Sequence, residues 1–392
     1  MSSSRPEIWN DPKFRNIVYQ IVFLIVVLAV GWYFYSNTAQ NMAKRGIISG
    51  FDFLNSTAGF KITQTLVPFT EESSYGRAYA ASLINTLIVS FVGLILATIV
   101  GFAIGVARLS SNWLVARLAG AYVETFRNIP LLLQIFFWWG AVIKSLPGVR
   151  DAMRIGDGVF LSNRGLVFPR PIAEAPFDWV FGVFVVGLIA TFVLRRWAHR
   201  RQERTGRQFP TFYAGFGMVI GAPVVLGGAL WLFGARPLSF ELPELGAFSF
   251  SGGFTVLPEF AGLLIALVTY TSAYIAEVVR AGIVSVSHGQ TEAAHALGLK
   301  PRWTLNLIVI PQAMRVIIPP LTNQYLNLTK NSSLGTAIGY PELVAVFGQT
   351  VLTQTGQAIE VIGITMATYL TISIATSAGM NWYNRRKQLV VR

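Results

Sequence analysis

Long apolar runs separated by shorter polar segments dominate the chain, and their lengths are those of bilayer-crossing helices. A helix rises ~1.5 Å per residue, so about 20 apolar residues cross the hydrocarbon core. Runs of that kind lie at 17–35, 83–107, 122–142, 177–194, 212–233 and 260–284, from near 312 onward, and at 360–383. The pattern predicts an all-α integral membrane protein with about eight transmembrane helices. The first run is longer than a signal-peptide core and reads as a retained helix. Two runs carry small residues at every fourth position: Gly93, Ala97, Gly101 and Gly105 in the second, and Gly363, Ala367, Thr371, Ala375 and Gly379 in the last. Such a stripe lets another helix approach closely, so the second run is expected to present it as a helix interface.

Polar and ionisable residues interrupt three of the runs. Glu124 and Arg127 in the third are spaced i, i+3, which allows them to pair, and Pro130 is expected to bend that helix. Glu277 and Arg280 repeat the spacing in the sixth run. A charge at the bilayer centre costs ~2.5–3.5 kcal/mol on insertion scales, so these groups belong near an interface or facing the protein interior. The seventh run is expected to break at Pro319–Pro320, beyond which stand Thr322, Asn323, Gln324, Asn327, Thr329, Lys330, Asn331, Ser332 and Ser333. Irregular polar backbone at membrane depth survives only when it is buried in protein or lines a wet cavity. This stretch is therefore either a pathway or a plain outer loop.

Composition agrees with the pattern: 53% of residues are hydrophobic, 12% are charged, and the mean hydropathy is +0.53. The net charge of +13 admits nucleic acid as a partner, but Arg and Lys also accumulate in cytoplasmic loops of membrane proteins. Position decides between the two. Arg195, Arg196, Arg200, Arg201, Arg204 and Arg207 sit between the fourth and fifth runs, marking that loop as cytoplasmic, whereas Glu241 and Glu244 face a single Arg236 in the next loop. With Arg385, Arg386 and Lys387 after the last run, both termini are expected in the cytoplasm. The chain has no Cys and three His in no ligand pattern, so no thiolate or metal site is expected. No Lys follows a Gly, which excludes a phosphate loop of the Walker type, and no Ser-His-Asp or HExxH arrangement is present.

Between the sixth and seventh runs lies EAAHALGLKPRWTLNLIVIP, residues 292–311. Glu292 is a residue type that caps helix N-termini, Ala293 and Ala294 leave a flat face for close docking, and Gly298 permits a sharp reversal. The typed positions Glu292, Ala293, Ala294, Gly298, Ile308 and Pro311 resemble the EAA loop of ABC importer permeases, the cytoplasmic coupling helix on which the ATP-hydrolysing subunit docks. Together with YVETFRNIPLLLQIFF, YTSAYIAEVVRAGI and IPQAMRVIIPPLTNQYLNLTKNSSL, it is similar to the polar amino-acid permeases of ABC importers (the HisMQ-like family), most of all their general L-amino-acid branch of Aap/Bzt type.

That resemblance implies a type I ABC importer permease core of five helices, spans two, three, six, seven and eight. Span one and the pair four and five are additions. The chain is accordingly divided into 1–82 (first helix and outer loop), 83–143 (core), 144–259 (outer loops and the inserted helices with their Arg-rich loop) and 260–392 (core, with the coupling loop at 288–311). The resemblance further implies L-amino-acid uptake across a bacterial inner membrane, a second homologous permease, two ATPase subunits carrying ATP and Mg, and a periplasmic binding protein. No cofactor is expected in this chain and no nucleic acid. Substrate contacts are expected at Leu133, Gln134, Glu277, Lys330, Asn331, Ser332 and Ser333, where Glu277 is an acceptor for an ammonium group or else merely the partner of Arg280. A secondary transporter or channel, coupled through an intramembrane carboxylate such as Glu277 and lacking an ATPase, is the competing class.

Overall fold

The computed structural model describes residues 12–44, 50–156, 158–246 and 249–387. The polar segment before residue 12, with Arg5, lies outside the described residues. In chain order the first helices are α1 (Pro12–Lys44), α2 (Tyr75–Ala107), α3 (Trp113–Asn128), α4 (Leu131–Phe136, prolonged by a π-helical stretch, Phe137–Ile143) and α5 (Phe177–Thr205). A π-helical stretch, Gly217–Gly221, joins α6 (Thr211–Phe216) to α7 (Ala222–Leu232). Then follow α8 (Pro258–Val284), α9 (His288–Ala296), α10 (Pro301–Thr304), α11 (Ile310–Asn331), α12 (Leu352–Thr355) and α13 (Ala358–Lys387). Among the described residues seven helical runs are long and apolar enough to cross a membrane, and the interrupted pair α3 and α4 makes an eighth. The expected spans are all present.

By packing the chain divides into two compact units, one formed by Met1–Ile129 with Leu267–Arg392 and the other by Pro130–Ala266. In the first, Ser74 caps α2 by accepting from the Arg77 amide at 3.3 Å, which starts the helix at Tyr75, ahead of the apolar run. The stripe Gly93, Ala97, Gly101, Gly105 is buried as expected, and it faces α8. A Cβ at Gly101 would lie 2.6 Å from Ile275 Cβ, and one at Gly105 2.8 Å from the Ala276 carbonyl oxygen. Tyr122 of α3 bonds the same helix, at 2.8 Å from Ser272 Oγ. The small residues of α13 behave differently: Gly363, Ala367, Thr371, Ala375 and Gly379 are all exposed, while Val361, Thr368 and Tyr369 pack inward.

Pro319 and Pro320 do not break the seventh run, contrary to expectation; α11 passes through both. Each proline forfeits a helical hydrogen bond, at ~3 kcal/mol or more. Ile317, Ile318 and Leu321 around them are nonetheless buried, with Ile317 and Leu321 in one core cluster with Ile275 and Val279, and Thr322 Oγ1 donates to the Ile318 carbonyl at 3.0 Å. Tertiary packing wins over the local penalty. Pro130, in contrast, acts more strongly than a bend, since α3 ends at Asn128 and a new helix starts at Leu131.

The connection between α11 and α13 is part of the core. Tyr340, Leu343 and Phe347 are fully buried, with Phe53 and Ala58 of the segment before α2 and Tyr75 at its start packed against Leu343 and Phe347. Glu342 is buried among them. Its carboxylate accepts from the Val344 and Ala345 amides at 2.8 and 2.7 Å and from the Tyr369 hydroxyl at 3.2 Å. Loss of hydration outweighs those bonds and pushes the carboxyl up to about 7.

In the second unit, regions read as loops carry short strands: β1 (Met153–Arg154), β2 (Phe160–Ser162), β3 (Gly165–Phe168), β4 (Arg170–Ala173), β5 (Leu238–Glu241), β6 (Glu244–Leu245), β7 (Phe250–Ser251) and β8 (Phe254–Val256). They form an antiparallel sheet in the order β1-β2-β3-β8 and the separate pairs β4-β5 and β6-β7. The start of α8 belongs to this unit: Glu259 pairs with Lys144 at 3.3 Å and accepts from Trp139 Nε1 at 3.2 Å. Close approach recurs in the inserted hairpin, where a Cβ at Gly187 of α5 would lie 2.3 Å from the Met218 carbonyl oxygen.

Two predictions test this packing. Gly101→Val should lower stability by about 1–3 kcal/mol through overpacking against Ile275, while Gly363→Ala, in open space, should stay within about 0.5 kcal/mol of wild type, both read by thermal unfolding in detergent. Equal effects would contradict the α2–α8 contact. For Glu342, a raised carboxyl pKa means that the fold prefers the protonated form, so its contribution is complete below about pH 4.5 and is lost as pH rises through about 7. Glu342→Gln should therefore gain about 1–3 kcal/mol on wild type between pH 5 and pH 8, and a pH-independent difference would refute the assignment.

Candidate functional site

The face of α8 turned from α2 meets α11 and encloses a polar cavity of about 240 Å³, lined by Tyr270, Thr271, Tyr274, Gln324, Asn327 and Asn331. Helical spacing builds it: 270, 271 and 274 share one face of α8, and 324, 327 and 331 share one face of α11. The two phenols lie 3.4 Å apart at their oxygens. Such a wall offers amide and hydroxyl donors and acceptors and no formal charge. Asn331 is the expected site residue that lines it. Lys330 is exposed, and Ser332 and Ser333 spend their hydroxyls on α11 itself, donating to the Thr329 and Lys330 carbonyls at 2.7 Å. Gln324 and Asn327 stood in the polar stretch of the sequence, but their helical register with Tyr270 and Tyr274 became readable only once α11 was continuous.

Below the cavity, Glu277 faces three guanidinium groups from three helices. It accepts from Arg108, which caps α2, and from Arg280 Nη2 at 2.6 Å and Nε at 3.2 Å, while Arg127 Nη1 of α3 lies 4.0 Å away. Arg127 also stacks on Tyr274, 5.0 Å from its ring centroid, and so joins the cluster to the cavity wall. The expected Glu124–Arg127 pair gives way to this arrangement. Glu124 lines a separate hollow of about 380 Å³ with Arg108, Arg117 and Arg280. The Glu277–Arg280 pair forms as the spacing allowed, and Arg108, read only as a loop marker, is the partner that the sequence did not reveal. Leu133 and Gln134 lie on α4 in the second unit, Leu133 exposed and Gln134 buried.

The segment after α8 has a compact, outward-facing form. Glu292 does not cap a helix: it lies within α9 and pairs with His288 at 3.0 Å, both side chains largely exposed. Ala293 is exposed and Ala294 is buried, so only the first of the two alanines belongs to the outer face. The helix ends in a Schellman motif: Leu299 N–H bonds the Ala294 carbonyl at 3.1 Å, Gly298 N–H bonds that of His295 at 2.9 Å, and Gly298 adopts φ +75°. Leu297, 81% exposed beside this turn, presents an apolar knob that the sequence reading passed over. Behind it, α9 packs on the π-helical stretch Leu305–Val309, which holds the half-buried Ile308, and Gln312 Nε2 donates to Gln290 Oε1 at 3.3 Å. Pro311 stands in the first turn of α11, directly after the π-helical stretch.

Residues 93–388, which hold the cavity, the arginine cluster and this turn, match the family model of the binding-protein-dependent transport system inner membrane component. The chain belongs to this family. As a member it has the fold of type I ABC importer permeases and serves as the membrane-embedded component of its transport system. It is 47% identical to the general L-amino acid transport system permease protein AapQ of Rhizobium johnstonii over 97% of this chain and 94% of that one. Identity is 48% to YhdX of Escherichia coli (strain K12), covering 97% and 96% of the two chains. It is 41% to the glutamate/glutamine/aspartate/asparagine transport system permease protein BztB of Rhodobacter capsulatus, again covering 97% and 96%.

In this permease Glu277 is, among the described residues, the carboxylate within 4.0 Å of Arg108, Arg280 and Arg127, so its loss leaves three cations facing one another. Glu277→Gln should destabilise the protein by about 1–3 kcal/mol, more than Arg108→Gln, Arg127→Gln or Arg280→Gln taken singly, in thermal unfolding at low salt. A smaller effect for Glu277→Gln than for any one arginine would contradict the shared role.

Proposed function

We propose that this chain is the permease subunit of an ATP-driven importer that takes up L-amino acids delivered by a periplasmic binding protein. The observation that carries the reading is near full-length identity of 47% to a general L-amino acid permease. The α8–α11 cavity supports it, since a zwitterion crossing a bilayer needs hydrogen-bonding partners where lipid supplies none. In this reading the path runs along α8 and α11 past Asn327 and Asn331, with Lys330, Ser332 and Ser333 at its outer end and Glu277 and its arginines at its inner end. The carboxylate of Glu277, occupied by Arg108 and Arg280, organises those arginines instead of standing free for ion coupling, which speaks against a secondary transporter.

Glu292, Ala293, Gly298 and Leu297 form the surface on which an ATPase subunit docks, with Ala294, Ile308 and Pro311 holding it in place. ATP and Mg reside on two such subunits, and a second homologous permease completes the pathway. The Arg-rich end of α5 and both termini lie in the cytoplasm of a bacterium whose inner membrane holds the complex. Co-purified complexes reconstituted into liposomes test the proposal. Uptake of labelled L-amino acids should require ATP on the ATPase side and fall at least tenfold in Glu292→Lys, while Asn327→Leu should lower uptake or change the preference among amino acids. Uptake that ignores ATP would overturn the reading in favour of a secondary transporter.

A further inference from the structure

The hairpin of α5 with α6 and α7 carries an apolar groove of about 400 Å³ on its outer surface. Leu188, Phe192, Phe216, Val219 and Ile220 form its walls, and Arg195 is the charged residue at its end. The groove exists because the helices touch through small groups: Gly215 is buried, and a Cβ there would come within 2.9 Å of Thr191 Cγ2. Four of the wall residues, Leu188, Phe192, Phe216 and Ile220, are 47–60% exposed, an apolar surface at home in acyl chains. Where this surface ends, α5 continues to Thr205 as a strongly basic helix.

Arg195, Arg196, Arg200, Arg201, Arg204 and Arg207 lack carboxylate partners. Among the described residues none of the six lies within 4.0 Å of an acidic group, and Glu203, the one acidic residue of this segment, pairs with His199 at 3.4 Å. Aromatic rings hold part of the array at the level of the groove: Arg196 lies 5.0 Å from the Phe192 centroid and Arg201 5.3 Å from that of Trp197. An apolar channel that ends in a guanidinium group, continued by unneutralised arginines, matches a molecule with a long hydrocarbon tail and a net negative head.

We propose that this groove is a binding site for an anionic phospholipid, one acyl chain lying along Leu188, Phe216 and Ile220 and the phosphate bound by Arg195. The remaining arginines raise the positive potential around Arg195, whose guanidinium is the group that selects a net negative headgroup over a zwitterionic one. The inference rests on the hairpin crossing a bilayer and is independent of what the protein transports.

Native mass spectrometry of the chain with whatever ATPase co-purifies, with phosphatidylglycerol or phosphatidylcholine added in mild detergent, tests it. Phosphatidylglycerol should be retained at least fivefold more than phosphatidylcholine. Arg195→Gln should remove that preference, Ile220→Trp, which fills the groove, should reduce retention of both lipids, and Arg236→Gln outside the groove should change nothing. Equal retention of the two lipids by wild type, or undiminished preference in Arg195→Gln, would overturn the proposal. So would inorganic phosphate displacing the lipid at equal concentration, which would mark a simple anion site, or loss of a co-purified ATPase in Arg195→Gln without any change in lipid, which would mark a protein-docking surface.

Discussion

The close approach of α2 to α8 at Gly101 and Gly105 fixes most of what else the permease core can do. With Cβ positions there lying within 3 Å of α8, the two helices meet almost backbone to backbone. That contact turns Ile275, Ala276 and Val279 toward α2, while Tyr270, Thr271 and Tyr274 face the cavity that they share with α11. It also sets Arg108, three residues beyond Gly105, at the height of Glu277. One steric permission thus places both the polar cavity and the charge cluster. A larger residue at either glycine would displace them together.

Glu277 holds α2, α3 and α8 together at one end of the cavity, but the cavity wall itself is uncharged. This division suits the path proposed for the cavity, whose energy comes from elsewhere. A charged wall would pair strongly with one end of a zwitterion and slow its release, whereas amides and phenols provide enough hydrogen bonding to offset desolvation and little more. Arg127 stands between the two regions, stacked on Tyr274 at 5.0 Å and 4.0 Å from Glu277, so the electrostatics of the cluster reach the wall through a single side chain.

What could be read from residue pattern alone was what depends on pattern alone. Apolar run length gave the spans, and four-residue spacing marked one face of α2 and one of α13, but the neighbours decide that the first is buried and the second exposed. Where tertiary packing competes with a local preference, the local reading failed: Pro319–Pro320 stay helical because Ile317 and Leu321 on either side are buried. Pair choice failed for the same reason, since Arg127 had a better-placed partner on another helix than Glu124 on its own. Ser332 and Ser333 looked like free donors, but hydroxyls at a helix C-terminus have carbonyls within reach. The strands between α4 and α8 are two to four residues long, too short for an alternating pattern to stand out.

The turn at Gly298 and the cavity are joined by a short mechanical route. A load on the outer face of α9 passes to the π-helical stretch behind it, and that stretch runs directly into α11, with Gln290–Gln312 as a second tie. The Schellman turn at Gly298 keeps the end of α9 rigid, so the load is not absorbed by fraying. A π-helical stretch is the weakest part of this route, because its wider hydrogen-bond spacing lets it revert to α-helix by sliding one residue. Such a slide at Leu305–Val309 would rotate α11 about its axis and carry Gln324, Asn327 and Asn331 around with it. The residues that line the cavity are thus those most sensitive to a change in register at the base of their helix.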